Sequence, residues 1–293
     1  MIYTLTLNPS LDYIMEAPVL LSGETNRSKR ETLRYGGKGI NVAAVLSSLG
    51  TDVRAIALLG GETGRLLLSL AEKDGLSLEP VTIAGDTRIN VKILSDTVTE
   101  LNARGPAVGK EELEALFRSF DKMREGDTLV LSGSIAPAMP KDIYAQIART
   151  LSEKGVRVVL DASGEALLSA LPSHPYLIKP NKGEIKEVLG EATDPLDGAR
   201  TLQKKGARNV LVSLGADGAV LLTEDGRVLH QAAPAGVAKN TVGAGDSMLA
   251  GFLYAESKGT KEALRFAVAS GSATAFKGAL ATGEEIKALE KKI

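Results

Sequence analysis

Cysteine is absent from the 293-residue chain, which excludes disulfides, thiolate metal sites and thiol nucleophiles. Histidine is nearly absent: only His174 and His230 occur. A zinc centre built on histidine, or a Ser-His-Asp triad, is correspondingly disfavoured. His174 lies in the turn-like stretch Pro172-Ser173-His174-Pro175 and His230 follows a strand-like run, so both read as surface residues. Acid–base chemistry then falls to a carboxylate. An excess of either charge is also missing: 35 Lys and Arg against 36 Asp and Glu give a net charge of −1. That excludes the broad basic surface of a nucleic-acid binder. Any anion must be held by a few placed cations and backbone N–H groups. No apolar run approaches the ~18 residues of a membrane span. The opening Met1–Pro9 has no basic leader region and no small-residue cleavage site, so the cytoplasm is the expected location.

What is present is an ordinary globular composition, 44% hydrophobic, with 31 glycines. Short apolar runs at Ile2–Leu7, Val53–Leu59, Thr128–Leu131, Val156–Leu160, Tyr176–Ile178, Asn209–Ser213 and Ala219–Thr223 predict strands buried on both faces. Between them, helices are predicted near Ile40–Leu49, Thr63–Asp74, Lys110–Met123, Lys141–Glu153 and Pro195–Lys205, with Pro140 in a permitted first-turn position. Gly50, Gly75, Gly155 and Gly206 stand where helix C-caps belong. The alternation predicts a parallel, doubly wound α/β sheet. Arg227–Ala232 is expected as an edge strand, followed by a loop entering a helix over Asn240–Ser257 and by helices over Lys261–Phe276 and near Glu284–Lys291. Two half-polar segments, near 10–35 and 87–102, fit this core poorly and suggest a small accessory sheet. The expectation is one domain over 1–293 carrying a small β lid from about 10–35 and 87–104.

Two glycine clusters carry the chemistry. Gly36-Gly37-Lys38-Gly39-Ile40-Asn41 opens one helix and Thr241-Val242-Gly243-Ala244-Gly245-Asp246 another. A helix N-terminus offers unpaired N–H groups and the positive end of a dipole, which suit an anion. Asp246 at such a cradle reads equally as an N-cap or as a catalytic base. There is no Gly-x4-Gly-Lys-Ser/Thr, no protein-kinase catalytic loop, and no completed Gly-x-Gly-x-x-Gly.

Taken together the clusters resemble the ribokinase-like (PfkB) carbohydrate kinases. Gly36, Gly37 and Asn41 match that family's Gly-Gly-x-x-x-Asn element, and Thr241–Asp246 its Thr-x-Gly-Ala-Gly-Asp. Asn240 replaces the Asp that usually precedes, a variant similar to the branch of 1-phosphofructokinases and tagatose-phosphate kinases. The resemblance implies a three-layer α/β/α sandwich with a mostly parallel central sheet and a β lid. It also implies ATP and Mg²⁺ as cofactors and a small phosphosugar as partner, with no nucleic acid and no membrane. Asp246 would be the base, with the N–H groups of Val242, Gly243, Ala244 and Gly245 around the transferring phosphoryl group. Asp12, in Asn8-Pro9-Ser10-Leu11-Asp12, would contact sugar hydroxyls beside Gly36, Gly37, Lys38 and Asn41. Asn181 and Glu184 of Lys179-Pro180-Asn181-Lys182-Gly183-Glu184 would organise Mg²⁺ through water, although their spacing equally fits a helix cap. Lys179, Ser213, Gly215, Gly218, Thr241, Gly243 and Gly245 would line the nucleotide.

Lys38, and Arg88 with Asn90 and Asn102, flank the sugar elements and imply an acceptor already phosphorylated. Arg88 could instead be a solvated edge-strand charge. Thr87–Lys92 and Ala269–Phe276 are similar to bacterial 1-phosphofructokinases, which implies fructose 1-phosphate, with tagatose 6-phosphate as the alternative. A catalytically silent sensor of nucleotide or sugar phosphate is the alternative of another class. Ile89, Val91 and Ile93 give the lid a half-apolar face that suits either a homodimer contact or cover for its own site.

Overall fold

The computed structural model describes residues 1–191 and 193–293. The chain opens with β1 (Ile2–Thr6), β2 (Ser10–Glu16), β3 (Arg30–Gly36), α1 (Lys38–Ser48), β4 (Val53–Leu59), α2 (Gly61–Lys73) and β5 (Leu78–Thr82). It continues through β6 (Arg88–Leu94), β7 (Val98–Asn102), α3 (Lys110–Ser119), β8 (Thr128–Ser132), α4 (Ile143–Ser152), β9 (Arg157–Asp161) and α5 (Gly164–Ala170). The remainder is β10 (Leu177–Ile178), α6 (Lys182–Leu189), α7 (Pro195–Lys204), β11 (Asn209–Ser213), β12 (Ala219–Leu222), β13 (Val228–Gln231), α8 (Ala244–Ala255), α9 (Thr260–Lys277) and α10 (Gly283–Glu290).

Nine strands form the central sheet in the order β13-β12-β11-β10-β9-β8-β1-β4-β5. All neighbours are parallel except β11–β12 and β12–β13. One apolar cluster fills the face covered by α3 to α7, for example Leu116, Ile147, Leu167 and Leu202. A second fills the face covered by α1, α2 and α8 to α10, for example Leu46, Leu67, Leu249 and Ile286. The result is a three-layer α/β/α sandwich, and strands such as Thr128–Ser132, buried at every residue, explain the unbroken apolar runs.

Strand β5 was not expected from the sequence. It contains Pro80, which a sheet tolerates at its edge, and β5 is indeed the edge next to β4. Helix α4 starts at Ile143, and Ile143 N–H donates to the Pro140 carbonyl, so Pro140 precedes the helix instead of sitting in its first turn. The second sheet, ordered β3-β2-β6-β7, draws on both half-polar segments. His174 takes a left-handed turn conformation with φ 51, consistent with the surface reading.

The sheet reverses its winding at β1, whose neighbours are β4 on one side and β8 on the other. In such folds ligands settle beyond the carboxyl ends of the strands at that point. Here Thr6 pairs with Ser132 and Ser132 with Asp161, and since Ile178 pairs with Leu160, Lys179 follows β10 at the level of Asp161. Each follows an aliphatic residue, so adjacent strands turn from apolar to polar at one level.

Candidate active site

The polar row is buried: Asp161 is only 1% exposed and Lys179 5%. Asp161 Oδ1 lies 3.2 Å from Lys179 Nζ and 3.5 Å from Lys38 Nζ. Burial alone would push the Asp161 carboxyl up, but Lys179 and then Lys38 outweigh it and hold the group below the usual carboxylate range. Lys38 is shifted the other way. Burial pulls its ammonium down, yet Asp161, Asp246 and Glu184 together raise it, so it stays charged. The second oxygen of Asp161 and the Ser132 hydroxyl have no hydrogen-bond partner among the described residues. Buried polar atoms without partners mark a place where ligand or water completes the structure.

Helix α8 starts directly above this row. Its N-cap is Gly243, held at φ 79, a left-handed conformation that favours glycine, and no side chain caps the helix. Asp246 is therefore not the cap. Its carboxylate, 6% exposed, accepts a 2.8 Å hydrogen bond from the Asn41 amide across the cleft. Burial and the nearby Asp161 push its pKa from 3.8 up to about 6, against the Asn41 hydrogen bond and the two lysines, which lower it. A carboxylate of that pKa is ionised at neutral pH and still basic enough to take a proton.

The anion cradle is narrower than the sequence implies. Val242 N–H donates to Asn240 Oδ1 at 2.9 Å and Ala244 N–H to the Thr241 carbonyl at 3.1 Å. Of the four N–H groups from Val242 to Gly245, those of Gly243 and Gly245 have no acceptor among the described residues, and neither has Asp246 N–H one residue further on. A side chain on Gly245 would begin 3.1 Å from Lys179 Nζ, so the buried ammonium lies against the same turn. Asn240 supplies the oxygen that folds this turn, which explains why an amide serves where the family usually has a carboxylate.

The first glycine cluster works by packing. A Cβ on Gly37 would meet Thr6 Cγ2 at 2.6 Å, and one on Gly39 the Leu5 carbonyl at 2.6 Å. The glycines let α1 press onto β1, where Thr6 Oγ1 accepts the Ile40 N–H at 3.0 Å. Gly36 lies against Asp12, 2.8 Å from Oδ1 to its would-be Cβ, and not on the main cleft. Asp12 is itself held by Ser10 and Asn90 at 2.8 and 3.1 Å and by Lys92 Nζ at 3.0 Å. Arg88 donates to the carbonyls of Asn8 and Ala103 at 2.9–3.2 Å. Those partners are neutral, so its charge is positioned without being cancelled.

On the opposite side Asn181 and Glu184 form a reciprocal cap of α6: Asn181 Oδ1 accepts the Glu184 N–H and Glu184 Oε2 the Asn181 N–H, both at 2.9 Å. One acceptor position of the Asn181 amide oxygen is thus spent on the helix, as the alternative cap reading expected. Glu184 Oε1 stays outside the cap, 4.0 Å from Lys38 Nζ. Gly218 is required by the backbone, since a Cβ there would strike the Gln231 carbonyl at 2.0 Å.

One cleft of about 1380 Å³ gathers Asp12, Gly37, Lys38, Asn41, Arg88, Asn90 and Asn102. The same cleft takes in Lys179, Asn181, Glu184, Ser213, Gly215, Gly218, Thr241, Gly243, Ala244, Gly245 and Asp246. The sequence reading missed Asp161 and Lys92. Asp161 carried a signal, a carboxylate ending an otherwise aliphatic strand. Lys92 had none beyond its two-residue spacing from Asn90, which puts both on one face of β6.

A three-layer sandwich with a buried carboxylate beside a lysine-backed helix N-terminus has the make-up of a site that moves an anionic group onto a bound acceptor. The chain belongs to the pfkB family of carbohydrate kinases, which its residues 5–287 match, and it is a phosphotransferase. It is 42% identical to 1-phosphofructokinase of Bacillus subtilis (strain 168), covering 99% of this chain and 97% of that one. It is 36% identical to D-tagatose-1-phosphate kinase of Bacillus licheniformis, over 94% and 93% of the two chains. The crystal structure of phosphofructokinase-2 from Escherichia coli in complex with fructose-6-phosphate matches with a TM-score of 0.92 at 30% identity, over 99% and 98%.

Proposed function

We propose that the protein transfers the γ-phosphoryl group of ATP to the 6-hydroxyl of fructose 1-phosphate, giving fructose 1,6-bisphosphate and ADP. The observation that carries this is Asp246, buried, oriented by Asn41 and set beside the N–H groups of Gly243 and Gly245. Asp246 takes the hydroxyl proton as the oxygen attacks phosphorus. The two N–H groups and Lys179 stabilise the charge on the transferring group. Asp12 and Asn90 hold the sugar hydroxyls, and Arg88 with Lys92 the phosphate end. The names of the Bacillus relatives support a phosphate on carbon 1. Tagatose 6-phosphate would bind the other way round.

Mg²⁺ fits the carboxylate oxygen that stays outside the cap, Glu184 Oε1, with water and nucleotide phosphates completing the shell. No group of three or more carboxylates or histidines stands ready for a metal among the described residues, which suits an ion that arrives with the nucleotide. Its contribution would be to offset phosphate charge. The four-stranded sheet acts as a lid that excludes water on closing. Its exposed Ile89 and Leu101 suit a second copy of the chain, so light scattering is expected to report a dimer. No helix among the described residues is long and apolar enough to cross a membrane, and we place the protein in the cytoplasm.

ADP release measured with fructose 1-phosphate, fructose 6-phosphate, tagatose 1-phosphate and tagatose 6-phosphate tests the assignment. Fructose 1-phosphate is expected to give the highest kcat/KM; a higher value for a 6-phosphate would reverse the acceptor's orientation. Arg88→Ala removes a charge-assisted phosphate contact worth about 1.5–3 kcal/mol. The KM for the phosphosugar should rise roughly 10–100-fold, with the KM for ATP nearly unchanged. Equal increases would make Arg88 a strut for the Asn8 and Ala103 carbonyls only. Because Asp246 must be ionised to act, kcat/KM is expected to fall with falling pH below about 6.

A further inference from the structure

Four stretches of chain join the four-stranded sheet to the sandwich, at 7–9, at 37, at 83–87 and at 103–109. Arg88 starts β6 just after the third, and its guanidinium bonds to carbonyls in the first and the fourth. The Asn8 carbonyl accepts Nε and Nη2 at 3.2 and 3.0 Å, and the Ala103 carbonyl accepts Nη1 at 2.9 Å. No backbone–backbone hydrogen bond joins 7–9 to 103–105 among the described residues. Besides Arg88 itself, the hydrogen bond that ties them comes from the Asn8 amide. Its Nδ2 donates to the Arg104 carbonyl at 3.0 Å and, more weakly, to Ser134 Oγ at 3.4 Å, in the turn after β8. A carbonyl only accepts, so the atom facing it is the amide nitrogen. Asn8 is 7% exposed, and its Oδ1 is buried without a hydrogen-bond partner among the described residues. That oxygen faces Gly105, where a Cβ would fall 2.2 Å from it and 3.4 Å from Arg88 Cδ, at a φ of 89. Glycine lets the chain leaving the lid lie this close to both residues.

We propose that Asn8 is a positioning residue for the acceptor: it holds together the two carbonyls that aim Arg88, and so sets the grip on the sugar's phosphate without touching the phosphate. This rests on the kinase function proposed above. Arginine binds phosphate through a planar fork of fixed geometry, so the plane must be set before the ligand arrives. Pro9 restricts the Asn8 backbone to an extended conformation, which fixes the first carbonyl. The second lies on a loop, and loops move unless they are bonded. The Asn8 amide supplies that bond one residue beyond Ala103. Preorganisation of this kind acts on binding of the ligand and not on the chemical step.

A double-mutant cycle on KM tests this. Asn8→Ala is expected to raise the KM for fructose 1-phosphate roughly 2–10-fold, the equivalent of one ordinary hydrogen bond, with kcat and the KM for ATP nearly unchanged. In an Arg88→Ala background the same change should add nothing, because Asn8 acts through Arg88. Additive effects, or equal rises in the KM for both substrates, overturn the proposal. Gly105→Ala leaves Asn8 in place but pushes the loop away from it, and should raise the KM for the phosphosugar alone; an unchanged value would also overturn the proposal. Trypsin gives a readout without turnover. Arg104 is exposed, and cleavage after it should be roughly 2–10-fold faster in Asn8→Ala than in the parent protein. An unchanged rate would show that the amide does not hold the loop. If the parent protein turns over no phosphosugar, the kinase function fails, and the trypsin comparison still decides whether Asn8 ties the two segments.

Discussion

Asp246→Asn is expected to lower kcat by at least about 10²–10⁴-fold, the usual contribution of a positioned general base. The amide keeps the size of the side chain and an oxygen for the Asn41 amide, so binding of both substrates should change little. The same variant should be more stable than the parent protein at neutral pH. Asp246 binds its proton more tightly in the folded chain, with a pKa of about 6 against 3.8 unperturbed. Between those values the folded state holds protons that the unfolded state has released, so stability falls as pH rises through the window and the loss is complete above it. The shift corresponds to a cost on the order of 2–3 kcal/mol at pH 7. Thermal melts of the two proteins should therefore separate at pH 7.5 and converge near pH 4. A variant with near-parental turnover would remove Asp246 from the base role, and coincident melts at pH 7.5 would show that its ionisation costs nothing.

Lys179→Met should damage both folding and catalysis. Asp161 is almost wholly buried, and its shorter contact is with Lys179, at 3.2 Å against 3.5 Å for Lys38. Removing one partner of a buried pair costs about 3–5 kcal/mol, and the remaining Lys38 keeps this case near the lower figure. The missing ammonium also leaves the turn at Gly245 without its cation, expected to cost roughly 10²–10³-fold in kcat. A second change, Asp161→Asn, separates the two effects. It removes the stranded charge, so denaturant midpoints should recover while turnover does not. If turnover recovered with stability, Lys179 would have only a folding role. Asp161→Asn alone should also move the acid limb of the kcat/KM profile below pH 6, since Asp161 is one of the two influences that raise Asp246.

The central sheet was legible because its strands are aliphatic at nearly every position, a pattern that only burial on both faces explains. Strand β5 was not, because Glu79 and Pro80 break that pattern where an edge tolerates it. The turn at Gly243–Asp246 was legible through its glycines and Asp246, but the purpose of each glycine was not. Gly37, Gly39 and Gly218 clear space for protein atoms, and only three-dimensional packing identifies which atoms those are. Asn181 and Glu184 fitted both a cap and a metal site from spacing alone, and the geometry shows both residues in the cap. Asp161 shows a signal that was present and unread. Leu5-Thr6, Leu131-Ser132, Leu160-Asp161 and Ile178-Lys179 each break from aliphatic to polar at the end of a strand. Once the strands are in register, those breaks form the floor of the site.

The hydrogen bond from Asn41 to Asp246 joins residues 205 positions apart, and the contact from Lys38 to Asp161 spans 123. No contiguous fragment shorter than most of the chain contains both ends of the first. On a ribosome, or during refolding from denaturant, Asp246 cannot be oriented by Asn41 until the C-terminal helices have docked against α1. Recovery of activity should therefore trail recovery of helix signal. A chain released before α8 would hold a sugar-side surface with no means of using it.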